Sequence, residues 1–85
     1  MADTANDRPR VLVVDDDRAI REMLAEFLDM EGYAVRAAED GVAAVSELAQ
    51  KDFDIIISDL KMPRMGGIAL LEEIGRQAPS AVTVI

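Results

Sequence analysis

Apolar positions along the chain keep two different rhythms. Val11 to Val14 is an unbroken aliphatic run, which predicts a strand buried on both faces. Ile20, Met23, Leu24, Phe27 and Leu28 then recur at i, i+3, i+4, i+7 and i+8, one apolar stripe on a helix. Asp17 is placed to cap that helix, and Gly32 to end it in a left-handed C′ position. Tyr33 to Ala38 predicts a second strand. A second helix is expected from Gly41 to Lys51, with Asp40 as cap and Val45, Leu48 and Ala49 facing inward. Ile55 to Ile57 is the clearest buried strand, running on through Ser58 to Asp59. Pro63 and the paired Gly66 and Gly67 break regular structure in KMPRMGG. A third helix is predicted over Ile68 to Gln77, with Leu71 and Ile74 inward. After Ala78-Pro79-Ser80 a fourth strand-like run, AVTVI, begins.

Strand alternating with helix in this way predicts a doubly wound α/β fold with a parallel sheet and right-handed crossovers. Such sheets place their chemistry beyond the carboxyl ends of the strands, at the point where strand order reverses. The first strand ends in Asp15, Asp16 and Asp17, and the third in Asp59. Each has a bland reading. Asp17 suits an N-cap, Asp15 and Asp16 suit a solvated turn, and Asp59 suits an ordinary strand end. If the two strands are neighbours, however, carboxylates from both meet on one rim. Like charges so crowded are costly unless a cation relieves them.

Composition narrows what that cation is. The chain has neither Cys nor His, so thiolate sites, disulfides and His-based catalysis are excluded, and zinc is disfavoured. Oxygen ligands alone suit a hard cation, and Mg²⁺ is the expectation. A formal charge of −8 argues against a phosphate-backbone partner, so no direct nucleic-acid binding is expected. Neither GxGxxG nor GxxxxGK[ST] occurs, which removes the usual nucleotide cradles. Residues 1 to 9 read as a polar, disordered tail without the apolar segment of a signal peptide, and no run approaches a membrane span. A cytoplasmic protein is the default expectation. A carboxylate held beside Mg²⁺ is suited to accept a phosphoryl group, because the cation offsets its repulsion from an incoming phosphate.

VLVVDDD at Val11 to Asp17, EDG at Glu39 to Gly41 and DIIISDLKMPRMGG at Asp54 to Gly67 together resemble the receiver domain of two-component response regulators. The pieces occur in the family's order and spacing from Val11 onward. DLKMPRMGGIALLEEI is most similar to receivers attached to sigma-54-dependent activators. The resemblance implies a flavodoxin-like sheet of order 2-1-3-4 within residues 10 to 85. It implies Asp59 as phosphoacceptor, Asp16 as direct Mg²⁺ ligand and Asp15 acting more through water. Lys61 would give its backbone carbonyl to the metal, and Met62-Pro63 and Gly67 would shape the loop. The implied partner is a histidine kinase or a small phosphodonor. Gly66 departs from the pattern, standing where the family has Asp or Asn.

Family receivers have five strands and five helices, so the resemblance implies a partial receiver without the fifth strand and last two helices. The hydroxyl residue after strand four, the Lys and the aromatic switch residue of strand five, and the effector domain would all lie outside this chain. AVTVI would then be a bare sheet edge, and a dimer or higher oligomer through it is expected. Two alternatives stand beside phosphotransfer. One is an interaction or assembly fragment. The other is a haloacid-dehalogenase-like phosphohydrolase with Asp15 as the first Asp of a DxD motif, although Ala19 stands where that motif has Thr or Val.

Overall fold

The computed structural model describes residues 8–58, 72, 74–77 and 82–84. Chain order runs β1 (Arg10–Val14), α1 (Arg18–Met30), β2 (Ala34–Ala38), α2 (Gly41–Gln50), β3 (Ile55–Ser58) and β4 (Val82–Val84). Residues 72 and 74–77 are helical. Expectations that fall on residues 1–7, on the 59–71 segment or on 78–81 lie outside this description.

All pairings are parallel, and the order is β2-β1-β3-β4, as the sequence led us to expect. The step from β1 to β2 runs one way across the sheet and the step from β2 to β3 runs the other. Right-handed crossovers therefore put α1 and α2 on opposite faces. Val11, Leu12, Val13 and Val14 are each at most 1% exposed, because β1 lies between two strands and between two helical layers. Leu12, Val14 and Ile56 share one core with Ala38, Ala44, Leu48, Phe53 and Ile74. The helical residue Ile74 therefore packs on the α2 side.

Local chemistry sets the helix ends. Asp17 is the N-cap of α1, its side chain accepting from the amides of Ala19 and Ile20. At the other end the Tyr33 amide donates to the Leu28 carbonyl and the Gly32 amide to Asp29, with Gly32 at φ 96°. This is a Schellman closure, and glycine is the residue that enters it without backbone strain. Asp40 caps α2 by accepting from the Ala43 amide at 2.8 Å.

Three expectations need adjusting. Strand β2 starts at Ala34, because the Tyr33 amide is consumed in closing α1. Pro9 is tied to the sheet, its carbonyl accepting from the Ala34 amide at 2.9 Å. On α2, Ala49 is exposed, and the buried positions are Gly41, Ala44 and Leu48. Their spacing of three and four keeps them on one helical face, with Val45 half-buried beside them.

The apolar stripe of α1 is only partly covered. Leu24 and Leu28 are half-buried against the sheet, while Ile20, Met23 and Phe27 are 42%, 60% and 57% exposed. Helix α1 packs on β1 and β2, so its apolar flank extends past the strands that cover it.

On the α2 face, Arg36 of β2 holds Glu47 of α2 with two bonds, Nε to Oε1 at 2.9 Å and Nη2 to Oε2 at 3.1 Å. That guanidinium, chiefly through its hydrogen bonds, lowers the Glu47 pKa below the ordinary glutamate range. The depressed value means the pair contributes stability at neutral pH and loses it as pH falls below about 4.5. Glu47→Gln is accordingly expected to flatten the acid limb of stability against pH, measured by urea unfolding. An unchanged limb would show the pair to be energetically idle. Gly32→Ala is expected to cost about 1 kcal/mol in the same assay. No atom lies within 4 Å of the added Cβ, so the loss would be one of backbone conformation rather than packing.

Candidate functional site

The candidate site lies at the carboxyl rim of β1. Register pairs Val14 with Ala38 on one side and with Ser58 on the other. The next residue after Val14 is Asp15, and the next after Ser58 is Asp59. The strands that the sequence brought forward are thus neighbours, and β1 sits where the chain order reverses. Asp59, Lys61, Met62, Pro63, Arg64, Gly66 and Gly67 lie outside the described residues, so the rim is built here from its β1 half.

Three consecutive aspartates have three different situations. Asp15 is half-buried, and its amide donates to the Ala38 carbonyl at 3.2 Å, extending the β1–β2 ladder by one residue. Its Oδ1 accepts from the Asp17 amide at 2.8 Å, an Asx turn that bends the chain into α1. Asp17 spends its own carboxylate on the helix cap. Asp16 is exposed, and among the described residues no hydrogen bond or ion pair engages its carboxylate. Asp17 is therefore structural, Asp15 is half committed, and Asp16 is open to a ligand.

Arg21 is a further member that sequence reasoning missed. Its Nη1 donates to the Asp15 carbonyl at 2.8 Å in a half-buried position. The signal was its place one turn into α1, on the side of the helix that returns to the acidic turn. Arg18, by contrast, points into solvent and pairs with Glu22 at 3.1 Å.

Donor chemistry on the rim is all hard oxygen, which fits Mg²⁺ and not a nitrogen- or sulfur-seeking metal. Among the described residues no group of three or more His, Cys, Asp or Glu side chains forms a metal cluster. A complete ligand set would need oxygens from beyond β1. A cavity of about 270 Å³ lies elsewhere, at the amino ends of the strands. Arg8, Arg10, Lys51, Asp29 and Phe53 help line it. It has no part in the carboxylate rim.

With this arrangement in place, the comparisons with known proteins are direct. Residues 11–85 match the response regulator receiver domain, and the chain belongs to that family. It is a receiver and not a member of a catalytic enzyme family, which sets aside the phosphohydrolase alternative. Response regulator MprA of Mycobacterium sp. (strain KMS) is 43% identical over 65 residues, covering 76% of this chain and 28% of that protein. MprA of Mycobacterium tuberculosis (strain ATCC 25177 / H37Ra) is related to the same degree. The chain thus spans 28% of the length of these curated relatives.

Among solved structures, Vibrio cholerae chemotaxis protein CheY4 superposes with a TM-score of 0.81 at 37% identity, over 86% of this chain and 61% of that one. Response regulator TrrA from Thermotoga maritima, solved in complex with Mg²⁺-BeF, gives 0.81 at 37% identity, over 88% and 65%. These likenesses make the flavodoxin-like receiver fold the fold of this chain. Among the described residues no helix is long and apolar enough to cross a membrane.

Because Asp16 is exposed and, among the described residues, unpaired, Asp16→Asn is expected to leave metal-free stability unchanged or to raise it by about 0.5 kcal/mol, through relief of like-charge crowding. Thermal melts in chelator read this out. A marked loss of stability would instead give Asp16 a structural role.

Proposed function

We propose that this receiver takes a phosphoryl group on Asp59, with Asp15 and Asp16 supplying carboxylates for a Mg²⁺ ion. The observation that carries the reading is the register. The residues before Asp15 and before Asp59 are paired across β1 and β3, at the carboxyl rim where the strand order reverses. Support for the metal comes from the oxygen-only donor set and from TrrA, whose structure contains Mg²⁺-BeF.

In this reading one Asp59 oxygen attacks phosphorus in line with the leaving group. The donor's bond to phosphorus breaks, and an acyl phosphate forms on the Asp59 carboxylate. The chain has no His, so a phosphohistidine donor belongs to a partner histidine kinase; a small acyl phosphate is the other source. Asp16, with its free carboxylate, is assigned as the direct metal ligand. Asp15, whose Oδ1 already serves the turn, is assigned a contact through water. The backbone carbonyl of Lys61 and an oxygen of Asp59 would complete the set. When bound, the ion offsets charge on the transferring phosphoryl oxygens. In this reading the receiver would act through an output domain of a longer regulator, with transcription as the proposed output; that the chain spans 28% of MprA's length is in keeping with it.

A second reading rests on β4. Among the described residues it is paired on one side only, with β3, and strands so placed recruit further strands. An assembly role through that edge would survive loss of Asp59, whereas phosphotransfer would not.

Intact-mass spectrometry after incubation with Mg²⁺ and acetyl phosphate decides between them. The expected outcome is a gain of one phosphoryl group in the wild type, absent in Asp59→Asn and abolished by chelator. A gain that persists in Asp59→Asn would move the acceptor elsewhere. No gain in either, together with oligomers in sedimentation, would favour the assembly reading.

A further inference from the structure

Three adjacent carboxylates hold their turn without any salt bridge among the described residues. The ion pairs there are Arg18–Glu22 and Arg36–Glu47, and neither involves Asp15, Asp16 or Asp17. Positive charge reaches the turn by another route. Arg21 extends back over one turn of α1 and sets Nη1 on the Asp15 carbonyl at 2.8 Å. Its own amide donates to the Asp17 carbonyl at 2.9 Å, so both ends of the residue are fastened to the acidic turn. The guanidinium is half-buried there, while its neighbour Arg18 extends to solvent.

Anchoring on a main-chain carbonyl is what gives the arrangement its meaning. An arginine paired with a carboxylate would occupy oxygens that a cation needs. On the carbonyl, Arg21 brings a full charge to the turn that bears the carboxylates and leaves their oxygens open. A permanent cation in that place offsets the repulsion among Asp15, Asp16 and Asp17, and it opposes a second cation by the same field.

We propose that Arg21 is the resident counter-charge of the acidic turn. As a positioning residue held on the Asp15 carbonyl, it stabilises the metal-free site and weakens divalent-cation binding. The inference rests on the reading of Asp15 and Asp16 as cation ligands. Its consequence is a receiver whose Mg²⁺ affinity is set by α1 as well as by the ligands themselves.

Mg²⁺ titration by calorimetry, paired with melts across a Mg²⁺ series, tests this on wild type, Arg21→Met and Arg21→Lys. Met keeps the apolar stem and removes the charge; Lys keeps the charge and removes the planar fork. Arg21→Met is expected to melt lower in chelator and to bind Mg²⁺ on the order of 3- to 10-fold more tightly. Its stability deficit should therefore close as Mg²⁺ rises. Added NaCl should shrink the affinity difference. Arg21→Lys should stay near wild-type affinity, and it carries the test if Arg21→Met does not fold, since a severalfold change in its affinity would then overturn the proposal. An equal stability deficit at every Mg²⁺ concentration, with affinity unchanged, would reduce Arg21 to a structural strap and overturn it. Weaker binding in Arg21→Met would overturn it as well. Asp16→Asn separates the two layers. If it binds Mg²⁺ as well as wild type, the ligand assignment fails and the Arg21 proposal falls with it.

Discussion

Strand β1 is paired on both sides and covered on both faces, and everything else in the structure is arranged around that constraint. A segment so enclosed must be aliphatic at every position, which Val11 to Val14 satisfies, each being at most 1% exposed. The first residue beyond the enclosure meets water at the rim, and there the chain turns to Asp15, Asp16 and Asp17. Burial and charge thus follow one another along seven residues. The apolar part fixes where the strand lies, and its fixed end fixes where the carboxylates stand.

The rim then divides its labour. One aspartate caps a helix, one bends the turn and one is left open, and each role follows from which amide lies within reach of its oxygens. The cost of three like charges is moderated locally by Arg21. In the proposed reading this is the logic of a cation site, where repulsion among the carboxylates would become attraction for an ion. The same logic explains why Asp40, although acidic and 3% exposed, belongs to the scaffold. Its carboxylate is satisfied by the Ala43 amide at the start of α2.

Much of the fold could be read from the sequence because its signals were local and strong. The buried run of β1, the strand at β3 (where Ile56 is buried but Ile55 and Ile57 are only half-buried, against the expectation of a fully buried run), the caps at Asp17 and Asp40, and Gly32 at positive φ each depend on a few adjacent residues. Misreadings came where neighbours decide. Ala49 and Ala44 are the same residue type five positions apart on one helix, and the packing of α2 on the sheet selects Ala44. The stripe on α1 shows an apolar face, but not how much of it β1 and β2 can cover. The proposed site was legible in part: Asp15 and Asp16 stand out by crowding, whereas Arg21 becomes visible only when α1 folds back onto the turn. Asp59 and Lys61 rest on the resemblance and on the register of Ser58.

The central claim is that β1 and β3 deliver their carboxylates to one ion. A double-mutant cycle on Mg²⁺ affinity, with Asp16→Asn, Asp59→Asn and the pair, tests it most directly. Shared ligation predicts coupling of about 1 kcal/mol or more, the double variant losing clearly less than the sum of the singles. Losses that add within about 0.3 kcal/mol would place the two carboxylates on separate sites and contradict the account.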